Sequence, residues 1–383
     1  MNGKNFAILC AAAGILILAA IFMSDSGKIQ PSEDIGNEIF PALPINDITK
    51  LVIRSQDDTM EIVKQDNGWI VPEKYGYPAD FSKVRTALIT LSGLKVGQIL
   101  TLDDVQKRHL KIAPPQTMTD NTLQEQTAGS LLELYRSDEK IASLLVGDTH
   151  KRHASGQAAM FGSYPDGQYV SPDNGQTVYL VGETLDSIIA DPNDWLDSDL
   201  VNVPSADIVS ATIKAPDTKP ISLSRAKNGN LEVDNLPRKK TTDEAKARSV
   251  AGALSYLRFK DIADPSLPDS VTGMNHPTIF SVTTKKGEIY TVSVGGKQEG
   301  SDSRYVRIRA AFDSTAQPTK QEPETTANEN QDASDPEKDL KPKIEALDKK
   351  LRAWTYIIES HLTGPMMYTE NDLIKKEEKK KDK

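Results

Sequence analysis

The stretch VKQDNGWIV, residues 63–71, places an Asn-Gly pair between two short runs in which apolar and polar residues alternate. A second stretch, SRAKNGNLEV at residues 224–233, repeats this arrangement. Asn-Gly favours the two-residue type I′ turn, in which both central residues have a positive φ. Each stretch therefore predicts a β-hairpin, with Asn67-Gly68 at the tip of the first and Asn228-Gly229 at the tip of the second.

The two hairpins occupy the same place in two longer matching stretches. DITKLVIRS opens the first stretch and DIVSATIKA the second, and both show the period-two alternation of half-buried strands. Asn67 aligns with Asn228 at a separation of 161 residues, and Leu91 with Leu254 at 163. The pattern predicts the α+β class, with two tandem homologous units, each an antiparallel β-meander plus a helix plus further strands.

A helix follows the hairpin in each stretch, because an aspartate that can cap a helix precedes apolar residues at helical spacing. Asp80 precedes the first set of apolar residues, which is Phe81, Val84, Leu88 and Leu91. Asp243 precedes the second set, which is Ala247, Ala251, Leu254 and Leu257.

The match continues beyond the helices. KRHLKIAPP at residues 107–115 corresponds to SVTGMNHP at residues 270–277. Each segment is followed by a predicted strand pair that ends at a glycine, Gly147 in the first copy and Gly295 in the second. A solenoid would need shorter and more numerous repeats, so the pattern indicates a single duplication. We place the first copy at residues 45–204 and the second copy at residues 205–362.

The N-terminus predicts a membrane anchor. FAILCAAAGILILAAIFM, residues 6–23, is long enough without a charge to reach the lower limit for a membrane-spanning helix. The preceding lysine and amino terminus favour an orientation with residues 1–5 in the cytoplasm. Residues 24–44 then form a tether to a body outside the inner membrane, in the periplasm or its equivalent. A cleaved signal peptide is the alternative, but the apolar run is long for one and lacks an A-x-A site.

Two other segments are predicted to lie outside the folded body. Residues 314–343 are rich in Pro, Glu, Thr, Asn and Asp and contain one leucine and no aromatic residue, so they bury too little apolar surface to offset the entropy of ordering. They form a disordered insertion before a short helix, IEALDKKLRAW, at residues 344–354. Residues 363–383 form a charged C-terminal tail.

Composition limits the classes of partner and site. The net charge of −9 and the aromatic content of 6% argue against nucleic-acid binding, which needs clustered positive charge and stacking side chains. Cys10 is the one cysteine of the chain, so no internal disulfide, Cys-based zinc site or thiol nucleophile is available to the body.

The residue patterns that could carry metal chemistry are weak. His150 and His153 stand three residues apart in HKRH, but no H-E-x-x-H and no carboxylate at a ligand spacing accompanies them, so a solvated polar loop is predicted. The segment DPNDWLDSD, residues 191–199, lacks the glycine and glutamate of a calcium loop. We interpret it as turn and capping chemistry, with Trp195 as a buried plug.

Patterns for nucleophilic or phosphate chemistry are equally weak. Ser137-Lys140 and Ser224-Lys227 match S-x-x-K, but both lie on or beside hairpin strands, where residues i and i+3 face opposite sides. VGGKQEG, residues 294–300, lacks the spacing of a phosphate-binding loop and is interpreted as a loop between strands. The sequence therefore predicts no catalytic, cofactor-binding or metal-binding residue and no cofactor.

Several of these stretches together resemble a known family. The opening DITKLVI…NGWIV, the run GMNHP…GEIYTVSVGG…RYVRI, the joint DWLDSDLVNVPSADIVSATI and the late Trp354 and Tyr356 resemble bacterial proteins that carry the domain of unknown function DUF4340. The resemblance covers most of residues 45–360. It implies that such a protein is often encoded beside ABC-type transporters similar to the gliding-motility system.

The chain departs from the family's motif of Tyr or Phe, Gly and Leu followed by Pro. The second copy keeps Gly273 and Pro277 but has Met274, and the first copy reads RHLKIAPP without the glycine. These motifs are structural, so they identify no chemistry.

The leading hypothesis is a membrane-anchored, extracytoplasmic, non-enzymatic protein that serves as an accessory or binding subunit of an ABC-type transporter or another envelope complex. One alternative is an envelope hydrolase with its site in a cleft between the two homologous units, because pockets form at domain interfaces. The other alternative is a purely structural spacer.

Overall fold

The computed structural model describes residues 34–115, 128–153, 162–313, 315 and 336–375. The predicted anchor, residues 6–23, and most of the predicted insertion lie outside these described residues. No helix within the described ranges is long and apolar enough to cross a membrane.

Two large antiparallel sheets with few helices confirm the predicted α+β class. The strands before residue 182 are β1 Lys50–Arg54, β2 Thr59–Gln65, β3 Gly68–Val71, β4 Tyr77–Pro78, β5 Gln98–Leu100, β6 Ser130–Arg136, β7 Glu139–His153, β8 Ser163–Ser171 and β9 Val178–Val181. They form a nine-stranded sheet in the order β4-β3-β2-β1-β6-β7-β8-β9-β5.

The second sheet is built from the later strands. These are β10 Asp199–Val201, β11 Ile208–Lys214, β12 Ile221–Arg225, β13 Leu231–Val233, β14 Leu257–Arg258, β15 Asp261–Ile262, β16 Thr278–Thr284, β17 Glu288–Lys297, β18 Ser303–Phe312 and β19 Tyr356–Glu359. Eight of them form a sheet in the order β13-β12-β11-β16-β17-β18-β19-β15, and β10 pairs with β14 separately. Strand β16 alternates strictly between buried and half-buried residues, as its period-two sequence predicts.

The helices are short except for two. They are α1 Phe81–Ser92, α2 Asp104–His109, α3 Glu244–Ala251, α4 Asp269–Thr272, α5 Pro336–Leu351, α6 Ser360–Thr363 and α7 Glu370–Leu373. Single 3-10 turns occupy Ile45–Asp47, Pro72–Lys74, Pro192–Trp195, Ser205–Asp207 and Gly364–Met367.

The chain divides into two compact units. Within the described residues, unit 1 combines the chain up to Lys64 with Ser82–Asp191, and unit 2 combines Gln65–Phe81 with the chain from Pro192 onward. These units are defined by packing. The copies predicted at residues 45–204 and 205–362 are defined by repeated sequence, so the units do not test them and the copies remain a prediction.

Tyr77 holds residues 65–81 within unit 2. Its ring lies edge-on to Phe259 and Trp354, with centroid distances of 5.1 and 5.0 Å, and its hydroxyl donates to the carbonyl of Asp197 at 3.2 Å. Burial, followed by the neighbouring Tyr356, raises the pKa of the Tyr77 hydroxyl. The residue is therefore a neutral aromatic anchor at every physiological pH.

Both predicted hairpins form, but their turn type differs from the prediction. Gly68 and Gly229 have positive φ values of 124° and 83°, whereas Asn67 and Asn228 do not have positive φ. In the second hairpin the amide of Gly229 donates to the carbonyl of Ala226 at 2.9 Å, so the turn is centred one residue earlier than predicted. The type I′ prediction is wrong, because the asparagine is the third residue of an ordinary turn and only the glycine after it has a positive φ.

The two predicted helices also form, with differences at their ends. Phe81 is 62% exposed, because it opens the first turn of α1 and does not face the core. The Asp243 side chain accepts hydrogen bonds from the amides of Ala245 and Lys246, which confirms the predicted cap of α3. That helix ends at Ala251 with Gly252 as its C-cap, so Leu254 and Leu257, although buried, lie beyond it.

The predicted insertion and tail are shorter in the structure. Helix α5 begins at Pro336, within the predicted insertion of residues 314–343, and residues 314 and 316–335 lie outside the described part. Of the predicted tail, residues 363–375 are folded, with Met366 and Leu373 fully buried. Apolar residues within the predicted tail bury enough surface to fold it, although the composition of the tail as a whole is highly charged.

Candidate functional site

A β-bulge in unit 1 builds the candidate site. Strand β7 pairs with β8 through Val146 opposite Val170, and the register then shifts before Thr149 pairs with Gln168. The bulge contains Gly147, where an added Cβ would lie 2.3 Å from the carbonyl oxygen of Leu110 at the end of α2. A glycine is therefore required for the backbone of the helix end to pass this strand.

The bulge turns consecutive residues towards one cavity. In a regular strand neighbouring side chains face opposite sides, but Asp148 and Thr149 both line an open cavity of about 330 Å³. Asp186 and the apolar Leu185 and Ile188, from the segment after β9, line the same cavity. Bulges commonly redirect side chains in this way beside functional sites.

Gln168 forms the fixed floor of the cavity. Its side chain is 3% exposed, its amide nitrogen donates to the carbonyl of Gly147 at 2.6 Å, and its oxygen accepts from the amide of Leu185 at 3.3 Å. The hydroxyl of Thr149 lies 3.4 Å from the same oxygen. These bonds fix the amide in one orientation, so the polar surface of the cavity is preorganised.

Two carboxylates and one ammonium group complete the cavity. The Lys111 Nζ lies 2.9 Å from Asp148 Oδ1, and both side chains are close to half exposed. The hydroxyl of Thr149 donates to Asp186 Oδ1 at 3.0 Å. Chemically, this set offers hydrogen-bond acceptors, one cation and an apolar wall, which suits the binding of a small polar molecule.

The sequence singled out His150 and His153 in a loop, but both lie on β7, so the loop prediction is wrong. The ring of His150 lies edge-on to Tyr169, with a centroid distance of 5.8 Å, and its Nδ1 is 3.8 Å from Asp166 Oδ2. Arg152 occupies that carboxylate at 2.7 Å. Among the described residues there is no group of three or more His, Cys, Asp or Glu that could hold a metal ion.

The two S-x-x-K pairs have structural partners. Ser137 lies in the β6–β7 turn with a φ of 54°, and Lys140 forms an ion pair with Glu133 at 2.9 Å. In unit 2 the hydroxyl of Ser224 donates to Asp234 at 3.0 Å, and Lys227 lies in the hairpin turn. Neither lysine is placed as the base of its serine.

The aspartates of residues 191–199 are held in separate contacts. Asp197 forms an ion pair with Lys350 at 2.6 Å, and Asp199 forms one with Arg258 at 2.6 Å. Trp195 is 2% exposed, which confirms its predicted burial. The sequence placed it at the end of the first copy, but it belongs to compact unit 2.

Residues 294–300 form a counterpart of the unit 1 bulge. Residues up to Lys297 belong to β17, so the loop prediction holds only for the last three residues. The register shifts between Val294 and Lys297, and a Cβ on Gly295 would lie 2.2 Å from the carbonyl oxygen of Thr272 at the end of α4. Arg304, which pairs with Lys297, donates to the carbonyl of Gly295 at 3.0 Å, as Gln168 does to Gly147 in unit 1.

A buried carboxylate, Glu133 on β6, is the centre of a charge cluster in unit 1. Arg54 and Lys140 lie 2.7 and 2.9 Å from it, and the Tyr135 hydroxyl donates to it at 3.2 Å. Burial by itself would raise the pKa of Glu133, but these hydrogen bonds and charges lower it below the usual value. All groups in the cluster are mutually satisfied, so the cluster stabilises the sheet.

A second cavity, of about 310 Å³, lies in unit 2 beside the second hairpin turn. Arg225 lines it and donates to three carbonyl oxygens, those of Ser205, Ile208 and Gly229. The guanidinium group thereby ties the turn to the start of β11. This arginine is occupied by the fold, which leaves the bulge cavity of unit 1 as the stronger candidate.

Sequence reasoning missed the bulge cavity. In the sequence Gly147 marks the end of a strand pair, and a glycine at this place is the signal that could indicate a bulge. Gln168 and Asp186 carry no local pattern, because they come from separate strands and loops that meet only in the folded sheet.

The family comparison covers the middle part of the chain. The sequence model for the domain of unknown function DUF4340 matches residues 69–277, more than half of the 383 residues. The match starts in the first hairpin and ends before β16. No curated protein and no solved structure matches the chain.

Proposed function

Because the chain belongs to the DUF4340 family, we propose that it is a membrane-anchored, extracytoplasmic, non-enzymatic accessory or binding subunit of an ABC-type transporter or another envelope complex. In this proposal residues 6–23 anchor the chain in the inner membrane, with the N-terminus in the cytoplasm. The transporter context comes from the resemblance described above.

The binding part of this proposal rests on the bulge cavity. Its floor is an amide fixed by hydrogen bonds, and its polar groups accept or donate hydrogen bonds. Such a preorganised polar surface with an apolar wall is typical of small-molecule recognition.

We also propose that the two sheets arose by duplication. We leave out β4 and number the remaining strands of each sheet from 1 to 8 in chain order. Both sheets then have the same spatial order, 3-2-1-5-6-7-8-4. Equivalent glycines form equivalent bulges, and the apolar clusters match, since Ile112 and Tyr169 pack in one and Met274 and Tyr305 in the other. Independent sheets would not be expected to share the order, the bulge and the cluster.

Copurification from solubilised membranes tests the partner. The tagged full chain should recover transporter components, whereas a matched fusion of residues 1–44 to an unrelated soluble protein should not. Recovery of the full chain alone, with no transporter component after mild cross-linking, would contradict the accessory role.

A protease-protection assay tests the orientation. In spheroplasts a C-terminal tag should be degraded by added protease, because the proposed topology puts it outside the inner membrane. A tag that is protected until the membrane is lysed would refute this topology.

A further inference from the structure

The bulge cavity of unit 1 contains side chains that the bulge itself does not require. The register places Thr149 at the position of Lys297 and Gln168 at the position of Arg304. Asp148 then corresponds to Gly296. Unit 2 forms the same bulge with a glycine and a lysine at these two positions. The side chains of Asp148 and Thr149 are therefore not needed to form the bulge.

Lys111 provides an independent observation at the same cavity. Its φ of 54° is left-handed, at the position where unit 2 has Gly273 with a φ of 71°. A side chain in this region carries backbone strain, and such strain is concentrated at functional positions. The Lys111 ammonium lies 2.9 Å from Asp148 Oδ1, so the cavity already holds one primary ammonium against a carboxylate.

The second carboxylate has no such partner. Asp186 accepts a hydrogen bond from Thr149, and no Lys or Arg in the described part of the chain forms an ion pair with it. Two carboxylates and one ammonium leave the cavity with one negative charge in excess. An excess carboxylate beside a fixed hydroxyl favours a cationic hydrogen-bond donor.

We propose that the bulge cavity of unit 1 binds a small polar molecule that carries a primary ammonium group. The carboxylate of Asp186 and the hydroxyl oxygen of Thr149 accept hydrogen bonds from the ammonium, and Leu185 and Ile188 contact the carbon chain. Lys111 pairs with Asp148 as a tethered ammonium, and its positive charge opposes the binding of a second ammonium. The cavity volume of about 330 Å³ is sufficient for such a molecule. This inference rests on the binding role proposed for the cavity, and it is independent of the transporter role.

Saturation-transfer NMR titrations of the full chain test the proposal with three probes of one shape. The probes are 3-amino-1-propanol, 1,3-propanediol and 3-hydroxypropanoate, which carry an ammonium, a hydroxyl and a carboxylate on the same carbon chain. We expect the amine to bind at least tenfold more tightly than the diol, and the carboxylate to bind least. Equal binding of the amine and the diol would overturn the proposal.

Three variants assign the binding to this cavity. Asp186→Asn should weaken amine binding at least tenfold, while Lys111→Met should strengthen it several-fold because the opposing positive charge is removed. Asp302→Asn is the matched control, since Asp302 is an exposed carboxylate paired with Lys297 beside the counterpart bulge. Thermal melts confirm that each variant is folded. A loss in Asp302→Asn equal to that in Asp186→Asn, or weaker amine binding in Lys111→Met, would refute the site.

Discussion

Substitution of Gly273 by alanine tests whether the bulge of unit 2 depends on the close passage of two backbones. Gly273 is the C-cap of α4, and its φ of 71° costs an alanine about 1 kcal/mol. A Cβ there would also lie 2.4 Å from the amide nitrogen of Gly296. An ordinary contact needs at least 3.4 Å, so the helix end and the strand would have to separate by about 1 Å. Such overpacking costs about 1–3 kcal/mol or more.

Two control variants separate the backbone clash from the backbone conformation. Gly300 has nearly the same φ, 69°, but no atom within 4 Å of a new Cβ, so Gly300→Ala carries the conformational cost alone. Gly296→Ala adds a Cβ inside the same bulge, with its nearest atom at 3.7 Å, and should be close to neutral.

Calorimetric melts of the purified full chain provide the measurement. Gly300→Ala should lower the midpoint of the unit 2 transition by about 2–4 °C, and Gly273→Ala should lower it by at least twice as much. If the two variants melt at the same temperature, the backbone clash contributes nothing and the explanation of the glycine fails.

Three further substitutions address the charge contacts. Glu133→Gln should lower the free energy of unfolding by about 1–2 kcal/mol at neutral pH. Because the folded-state pKa of Glu133 is lowered, this difference should be present above the unfolded-state pKa of about 4.3 and should disappear as the pH falls through the folded-state pKa. A pH-independent difference in urea melts would contradict this explanation. Asp348→Ala removes the acceptor of two hydrogen bonds from Arg309 and one from the amide of Ala310. Helix α5 should therefore lose protection in hydrogen exchange, and the free energy of unfolding should fall by about 2–3 kcal/mol. Unchanged protection of α5 would refute the role of Asp348 in holding this helix. Arg225→Met leaves three carbonyl oxygens without their donor and should lower the free energy of unfolding by about 1–3 kcal/mol in chemical denaturation. Lys227→Met in the adjacent turn is the control and should be neutral. Equal effects of the two substitutions would contradict the stabilising role of the Arg225 hydrogen bonds.

The boundary of α5 shows how long-range contacts override composition. The charged and proline-containing start of the helix predicted disorder up to residue 343, yet the helix begins at Pro336. Asp348 accepts from Arg309 and from the amide of Ala310 on β18, and Ile344 and Leu351 are buried. Those contacts join residues 39 and 38 positions apart in the chain, so no local window of sequence could reveal them.

Local features of this protein follow from the sequence by itself. The alternation of apolar residues predicts the strands, the aspartate before an apolar period predicts the cap of α3, and Asn-Gly predicts the two hairpins. These features depend on residues within one turn or one strand of each other, where backbone sterics and local hydrogen bonds decide. The turn type was mispredicted because the glycine can serve either of two turns that differ by one residue.

Tertiary structure alone decided the candidate site and the division into compact units. Asp148 and Thr149 share a cavity only because a bulge interrupts the alternation of β7, and Gln168 and Asp186 meet them only after β8 and β9 have paired in register. Likewise, Tyr77 belongs to unit 2 because its ring packs on Phe259, a residue remote in sequence. Packing energy depends on which surfaces meet in three dimensions, whereas the sequence pattern records only which residues are able to be buried.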